Sequence, residues 1–416
     1  VSLVPRDARV VWHPYTRSLG APPPIPIVSA KGAWLVAEDG RRYLDGISSW
    51  WVNVHGHGHP RLVAALARQA QALDHVVFAG CTHGPAVELA ERLTALLGLD
   101  RVFFSDDGST AVEVALKMAF QRAALRGERR TRFLALPDAY HGDTVGAMAA
   151  SGIPLFRDAY RDLLFRVDRY EGRVGEDVAA VLVEPMLQGA AGMRVHSAAF
   201  LREVEARCRE AGALLVADEV LTGFGRTGRM FGCEHAGVRP DVVCLAKGIT
   251  GGMLPLAATV VSAEVHEAFV GREPERTFFH GHSYTANAIA CAVAVESLRL
   301  FEEGDVLGRA NEIGARVRRA LSALEGRVAD VRGIGSVQAV ELAGEQGYLA
   351  GVGPAMAAAA LRRGVLLRPL GNVLYAMPPL CLSDDEADRL GAVMVEVVEE
   401  VLSGTSPRAP LDARAP

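Results

Sequence analysis

Ala213-Leu214-Leu215-Val216-Ala217-Asp218 and Asp241-Val242-Val243-Cys244-Leu245-Ala246-Lys247 decide the fold. Each is a short apolar run closed by one ionisable residue, the pattern of a buried strand that carries its last side chain to the edge of a sheet. In an open α/β sheet the carboxyl ends of the strands border one crevice, so Asp218 and Lys247 are set to meet around one ligand. A carboxylate and an amine held there suit pyridoxal phosphate. The lysine forms the Schiff base and the carboxylate keeps the pyridine nitrogen protonated. Strands also end in Asp or Lys for solvation alone, so the pair draws its weight from the rest of the chain.

Outward from these two runs, further strands are expected at 101–105, 132–136, 180–183 and 257–261. Helical patterns at 109–126 and 200–211 alternate with them, which argues for a mostly parallel, helix-covered sheet in an α/β fold. After about residue 290 the texture changes. Helices are expected at 290–303 and 310–324, and strands within 328–342 and 365–377, as in a smaller α+β unit. The Pro-rich stretch 21–26 and the first strands are expected to pack with that unit. The reading is a large cofactor-binding domain over 50–300 and a small domain formed by both termini, 1–49 and 301–416. Residues from about 403 read as a frayed tail.

The composition of the 416 residues is globular, with 50% hydrophobic and 22% charged. A net charge of −5 gives no electrostatic case for nucleic acid or an anionic membrane. The six cysteines (81, 208, 233, 244, 291, 381) have neither disulfide-framework nor zinc spacing. No basic segment followed by an apolar core opens the chain, and no apolar run reaches the ~18 residues of a spanning helix. A soluble, cytoplasmic protein is expected.

Other motifs carry chemistry. In Asp107-Gly108-Ser109-Thr110 a strand gives way to a helix whose first free N–H groups bind an anion, unless Ser and Thr merely cap it. Gly223-Phe224-Gly225-Arg226-Thr227-Gly228 satisfies G-x-G-x-x-G, but Asp218 to Thr222 separate it from the strand and no helix start follows, so no dinucleotide site is read. Tyr140, after the 132–136 strand, is either a rim tyrosine or an aromatic face for a flat ring. His55, His57 and His59 alternate with glycines before Pro60. This reads as a turn, and no metal is expected. Trp50 and Trp51 are core aromatics or a pocket wall. Arg368, between Leu367 and Pro369, needs a carboxylate from the protein or from a substrate.

Together these residues resemble the class III aminotransferases of the fold-type-I pyridoxal-phosphate enzymes, over roughly residues 10 to 400. The segment from Leu214 to Gly228, with Lys247 29 residues after Asp218, carries the resemblance. It implies pyridoxal phosphate as cofactor, with Lys247, Asp218 and Tyr140 as catalytic residues: Lys247 bound to the cofactor, Asp218 at its ring nitrogen and Tyr140 against the ring. Gly108 and Ser109 would hold the phosphate, completed across a homodimer interface by His282 and Ser283, where many relatives have Pro-Thr. Trp12-His13-Pro14-Tyr15-Thr16, Ser48-Ser49-Trp50-Trp51 and Arg368-Pro369 with Tyr375-Ala376-Met377-Pro378-Pro379 resemble one branch of the family. That branch implies 8-amino-7-oxononanoate and S-adenosylmethionine as substrates in biotin synthesis. Tyr15, Trp50, Trp51, Gly281, Arg368 and Tyr375 would bind them, with Glu184 and Arg226 as supports. The resemblance leaves open lysine as donor, or another ω-amino substrate such as 4-aminobutyrate, ornithine or a diamine.

Overall fold

The computed structural model describes residues 2–345 and 347–404; the expected tail lies outside them from residue 405 on. Seven strands form the large sheet: β1 Arg101–Ser105, β2 Arg132–Ala135, β3 Asp168–Arg169, β4 Val178–Val183, β5 Leu214–Asp218, β6 Val242–Leu245 and β7 Ala257–Val261. Their order is β1-β7-β6-β5-β4-β2-β3. All pairings are parallel except those of β7, which is antiparallel to both neighbours. The reason is the connection. Residues 246–256 are too few to cross over with a helix, so the chain returns in the opposite direction.

Every residue of β4, β5 and β6 is buried, as a sheet covered on both faces requires. Alternation sorts their side chains. Leu214, Val216, Val242 and Cys244 pack with the Gly108–Leu125 helix, while Leu215, Ala217, Val243 and Leu245 pack with the Ala198–Ala211 and Ala288–Glu303 helices. Asp218 lies opposite Cys244 in the ladder, so the two runs end side by side and Lys247 follows three residues later.

Strands from both ends of the chain share a second sheet. Ile27–Lys31, Trp34–Ala37 and Arg42–Asp45 form an antiparallel meander, and Val365–Leu366 adds to Arg42–Asp45 in parallel. Ile25 of the Pro-rich stretch packs against the buried cluster of Leu35, Ala37 and Tyr43, as do Leu361 and Leu366. A third sheet joins Asp330–Ile334, Val337–Glu341 and Val373–Ala376. The 365–377 segment is therefore two short strands, and Arg368 falls in the irregular stretch between them. Four of the six cysteines are buried free thiols. No described helix is long and apolar enough to cross a membrane.

Candidate active site

A cavity of about 750 Å³ opens at the carboxyl ends of β5 and β6. Gly108 and Ser109, Asp218, Lys247, Tyr140 and Trp51 all line it. At one end stands the N-terminus of the 18-residue Gly108–Leu125 helix. Its cap is Asp107, whose Oδ1 accepts from Thr110 N at 3.0 Å, leaving Ser109 free for another use. Ser109 Oγ pairs with Thr144 Oγ1 at 2.7 Å and accepts from Thr144 N at 2.9 Å. The backbone here admits no side chain. A Cβ on Gly108 would stand 2.5 Å from Val220 Cγ1, and one on Gly142 2.3 Å from Ser109 Oγ. Free N–H groups, hydroxyls and the helix dipole make this end an anion cradle.

Asp218 forms the opposite pole. Its Oδ2 accepts from His141 Nδ1 at 2.7 Å and its Oδ1 from Val220 N at 3.1 Å. An ionised carboxylate only accepts, so the proton sits on His141 Nδ1. His141 Nε2 is buried with no hydrogen-bond partner among the described residues. His141, Thr144 and Val220 are not singled out by the sequence pattern.

Lys247 opens a turn at φ +45°, a left-handed conformation that a lysine adopts only under constraint. Burial lowers its pKa to about 8, against the opposing pull of Asp218 and Glu184. No hydrogen bond or ion pair to another described residue holds the ammonium; it lies 4.8 Å above the centre of the Trp51 ring. Glu184 is pushed up to about 7, chiefly by burial, and accepts from Tyr140 N at 3.0 Å and Gly189 N at 3.1 Å.

Trp51 lines the cavity and Trp50 does not, and both sit on an unusual turn. Ser48, Ser49, Trp50 and Trp51 all have positive φ, at 50°, 47°, 82° and 73°. A left-handed turn of non-glycine residues costs about 1–2 kcal/mol per residue and needs outside support. Arg226 supplies part of it. Its buried guanidinium donates to Ser48 Oγ (3.0 Å), Pro378 O (2.9 Å), Trp51 O (3.3 Å) and Asn53 O (2.8 Å). The G-x-G-x-x-G run that contains Arg226 is thus a set of buried turns. Tyr375 stands behind Trp51, its hydroxyl accepting from Trp51 Nε1 at 2.9 Å, and does not line the cavity.

Above the cavity an aromatic cluster forms. The Tyr15 hydroxyl lies 3.2 Å from that of Tyr140 and donates to Asp143. Tyr15 meets Trp50 edge-on at 5.5 Å and Phe156 at 5.6 Å. The Arg368 guanidinium stacks 3.9 Å over Trp50 and makes no ion pair with any described carboxylate. His282 lies apart from this cluster, with Nδ1 3.4 Å from Oδ2 of Asp106 on the cavity wall; Gly281 and Ser283 flank it and do not line the cavity. The three alternating histidines diverge: His55 faces Ser297 Oγ (3.0 Å), His57 faces Asp45 Oδ2 (2.8 Å), and His59 precedes the Pro60–Ala72 helix.

An anion cradle, a carboxylate and a desolvated amine around one cavity fit the phosphate, ring nitrogen and aldehyde of pyridoxal phosphate, and with this sheet they define a fold-type-I pyridoxal-phosphate transferase. Residues 16–398 match the aminotransferase class-III family, and the chain belongs to it. It is a pyridoxal-phosphate-dependent aminotransferase. The chain is 44% identical to the adenosylmethionine-8-amino-7-oxononanoate aminotransferase of Synechococcus elongatus, over 94% of this chain and 99% of that one. The crystal structure of the enzyme of the same name from Methanocaldococcus jannaschii superposes with a TM-score of 0.91 at 34% identity, covering 96% of this chain and 98% of that one. An omega transaminase from Pseudomonas jessenii in complex with PMP gives 0.89 at 26% identity, covering 98% and 100%.

Proposed function

We propose that the protein aminates 8-amino-7-oxononanoate to 7,8-diaminononanoate, a step of biotin synthesis, with S-adenosylmethionine as amino donor. The observation that carries this reading is Arg368. An arginine stacked on Trp50 beside Tyr15, with no carboxylate among the described residues opposite it, suits the acid group of a long apolar substrate. The aromatic walls also suit a sulfonium donor through cation–π contact. The names of the relatives point the same way.

The roles follow from chemistry. Bound pyridoxal phosphate supplies an electron sink for the carbon that carries the amino group. Gly108 and Ser109 would bind its phosphate. Asp218, oriented by His141, would keep a proton on the ring nitrogen, and Tyr140 would offer its aromatic face to the ring. Lys247, with a pKa of about 8, is unprotonated in an appreciable fraction near neutral pH and carries a proton to and from the reacting carbon. Tyr15, Trp50 and Trp51 exclude water and pack the substrate chain, with Gly281 and Tyr375 in support. The large domain over 50–300 holds the cofactor, and the small domain of 1–49 and 301–416 brings Arg368 over it.

A cytoplasmic homodimer belongs to the same reading. Phe279 and Tyr284 are 77% and 62% exposed on the segment that carries His282 and Ser283, an apolar surface suited to a second copy. The test is a single-turnover absorbance experiment on the purified protein. S-adenosylmethionine is expected to bleach the visible band of the bound cofactor, and 8-amino-7-oxononanoate to restore it. Bleaching by lysine alone changes the donor; response only to 4-aminobutyrate rejects the substrate assignment.

A further inference from the structure

We propose that His57 is a positioning residue for the substrate pocket, acting through Asp45 on the left-handed turn that presents Trp50 and Trp51. The inference rests on the assignment of Trp50 to that pocket. Asp45 is fully buried at the end of the Arg42–Asp45 strand. Its carboxylate gathers the turn. Oδ1 accepts from Ser49 N at 2.9 Å and Ile47 N at 3.3 Å, and Oδ2 accepts from Ser49 Oγ at 2.8 Å. The remaining donor is His57 Nε2, 2.8 Å from Oδ2.

The tautomer of His57 is set from behind. Gly56 N donates to Asn53 Oδ1 at 2.8 Å, which fixes the Asn53 amide so that its Nδ2 faces His57 Nδ1 at 3.2 Å. Nδ1 therefore accepts, and the ring proton stands on Nε2, aimed at Asp45. The backbone of His57 is held as well. It pairs with Gly32 in both directions, at 3.0 Å and 2.7 Å, in the bend between the first two strands. A chain of hydrogen bonds thus runs from the Asn53 amide through His57 and Asp45 into a left-handed turn whose own backbone bonds, Trp50 N and Trp51 N to Ile47 O at 3.2 and 2.8 Å, leave Ser49 N and Oγ to Asp45.

Arg226 also grips the turn, through Ser48 and the carbonyls of Trp51 and Asn53; it feels the charge of Asp45 but makes no hydrogen bond to that carboxylate or to Ser49. Asp45 therefore anchors Ile47 and Ser49 and through them, with Trp50 N donating to Ile47 O at 3.2 Å, the half of the turn that carries Trp50. Trp50 is also the platform under Arg368. Loss of the His57 bond is expected to loosen Trp50 first, and to weaken acid binding without disturbing Asp218, Lys247 or the phosphate cradle.

The test uses the holoenzyme labelled with 5-fluorotryptophan and read by fluorine NMR, alongside kinetics. His57→Phe is expected to shift or broaden the Trp50 and Trp51 resonances, leave that of exposed Trp12 in place, and raise KM for the keto acid about tenfold with the cofactor band unchanged. His57→Gln supplies an amide N–H to Asp45 and an oxygen to Asn53, and restores both readouts. In a Trp50→Ala background His57→Phe is expected to add less than about twofold to KM, because the two act in series. Asn53→Leu, which strips the donor from Nδ1, serves should His57→Phe not fold, and is expected to move the same two resonances. Unmoved Trp50 signals, or an undiminished KM effect in the Trp50→Ala background, would overturn the proposal. Failure of the substrate assignment is separate: the resonances report the turn whichever keto acid is used.

Discussion

The guanidinium of Arg368 lies 3.9 Å over the ring of Trp50, in an aromatic cluster that contributes no acidic partner to it. A stacked, unpaired arginine is a prepared site for a carboxylate, because the charge is already partly desolvated and its planar face is fixed. Arg368→Ala is expected to raise KM for 8-amino-7-oxononanoate about 30- to 100-fold, the equivalent of about 2–3 kcal/mol. The proposed donor, S-adenosylmethionine, would keep its sulfonium against the aromatic walls and is expected to lose far less. Steady-state kinetics with each substrate varied in turn decides it: equal losses for both would reject the clamp.

Among the described residues Lys247 is the one amine that lines the cavity, and the proton transfer proposed for it would have no other amine to carry it. Lys247→Ala is expected to lower turnover by about 10²-fold at the least and as much as 10⁴-fold. The visible absorbance of the bound cofactor should shift as its covalent attachment is lost. Near-normal turnover in the variant would remove Lys247 from the mechanism.

Much of this site was legible from strand ends. Asp218, Lys247 and Gly108 stand where an apolar run stops, and such positions follow from local pattern alone. His141 was not legible. It meets Asp218 across 77 residues of sequence, and only the pairing of the strands brings the two together. The left-handed turn at Ser48–Trp51 was hidden for a different reason. No glycine marks its positive φ angles, which are imposed by Asp45 and Arg226 from other parts of the chain. The reversed strand β7 lay between: its apolar run was plain, but its direction depended on the length of the connection before it.

Gly108 offers a test of the phosphate cradle by size. A methyl group there would stand 2.5 Å from Val220 Cγ1, and Val220 lines the cavity. Overpacking of this kind costs about 1–3 kcal/mol. Gly108→Ala is expected to weaken pyridoxal phosphate about tenfold, measured by reconstitution of the cofactor-free protein. Val220→Ala in the same chain makes room for the methyl group and should recover most of the affinity. If the double variant is no better than the single, crowding is not the reason glycine stands at this position.

The depressed pKa of Lys247 makes a statement about stability that is independent of catalysis. In the folded, cofactor-free protein its pKa is lowered from 10.5 to about 8, mainly by burial. Below pH 8 both folded and unfolded chains carry the proton, and the full cost of a buried ammonium is present. Between pH 8 and 10.5 the folded protein has released the proton and the unfolded chain has not, so this contribution to stability rises with pH. Above 10.5 both are neutral and the cost is gone. Lys247→Met keeps the length of the side chain without its charge. It is expected to stabilise the cofactor-free protein at pH 7 by up to about 3 kcal/mol, with the gain fading towards pH 10.5. Urea denaturation of both proteins at pH 7 and pH 10 measures it. A gain of the same size at both values would mean that Met packs better than Lys in this cavity, and that burial does not shift the amine as described.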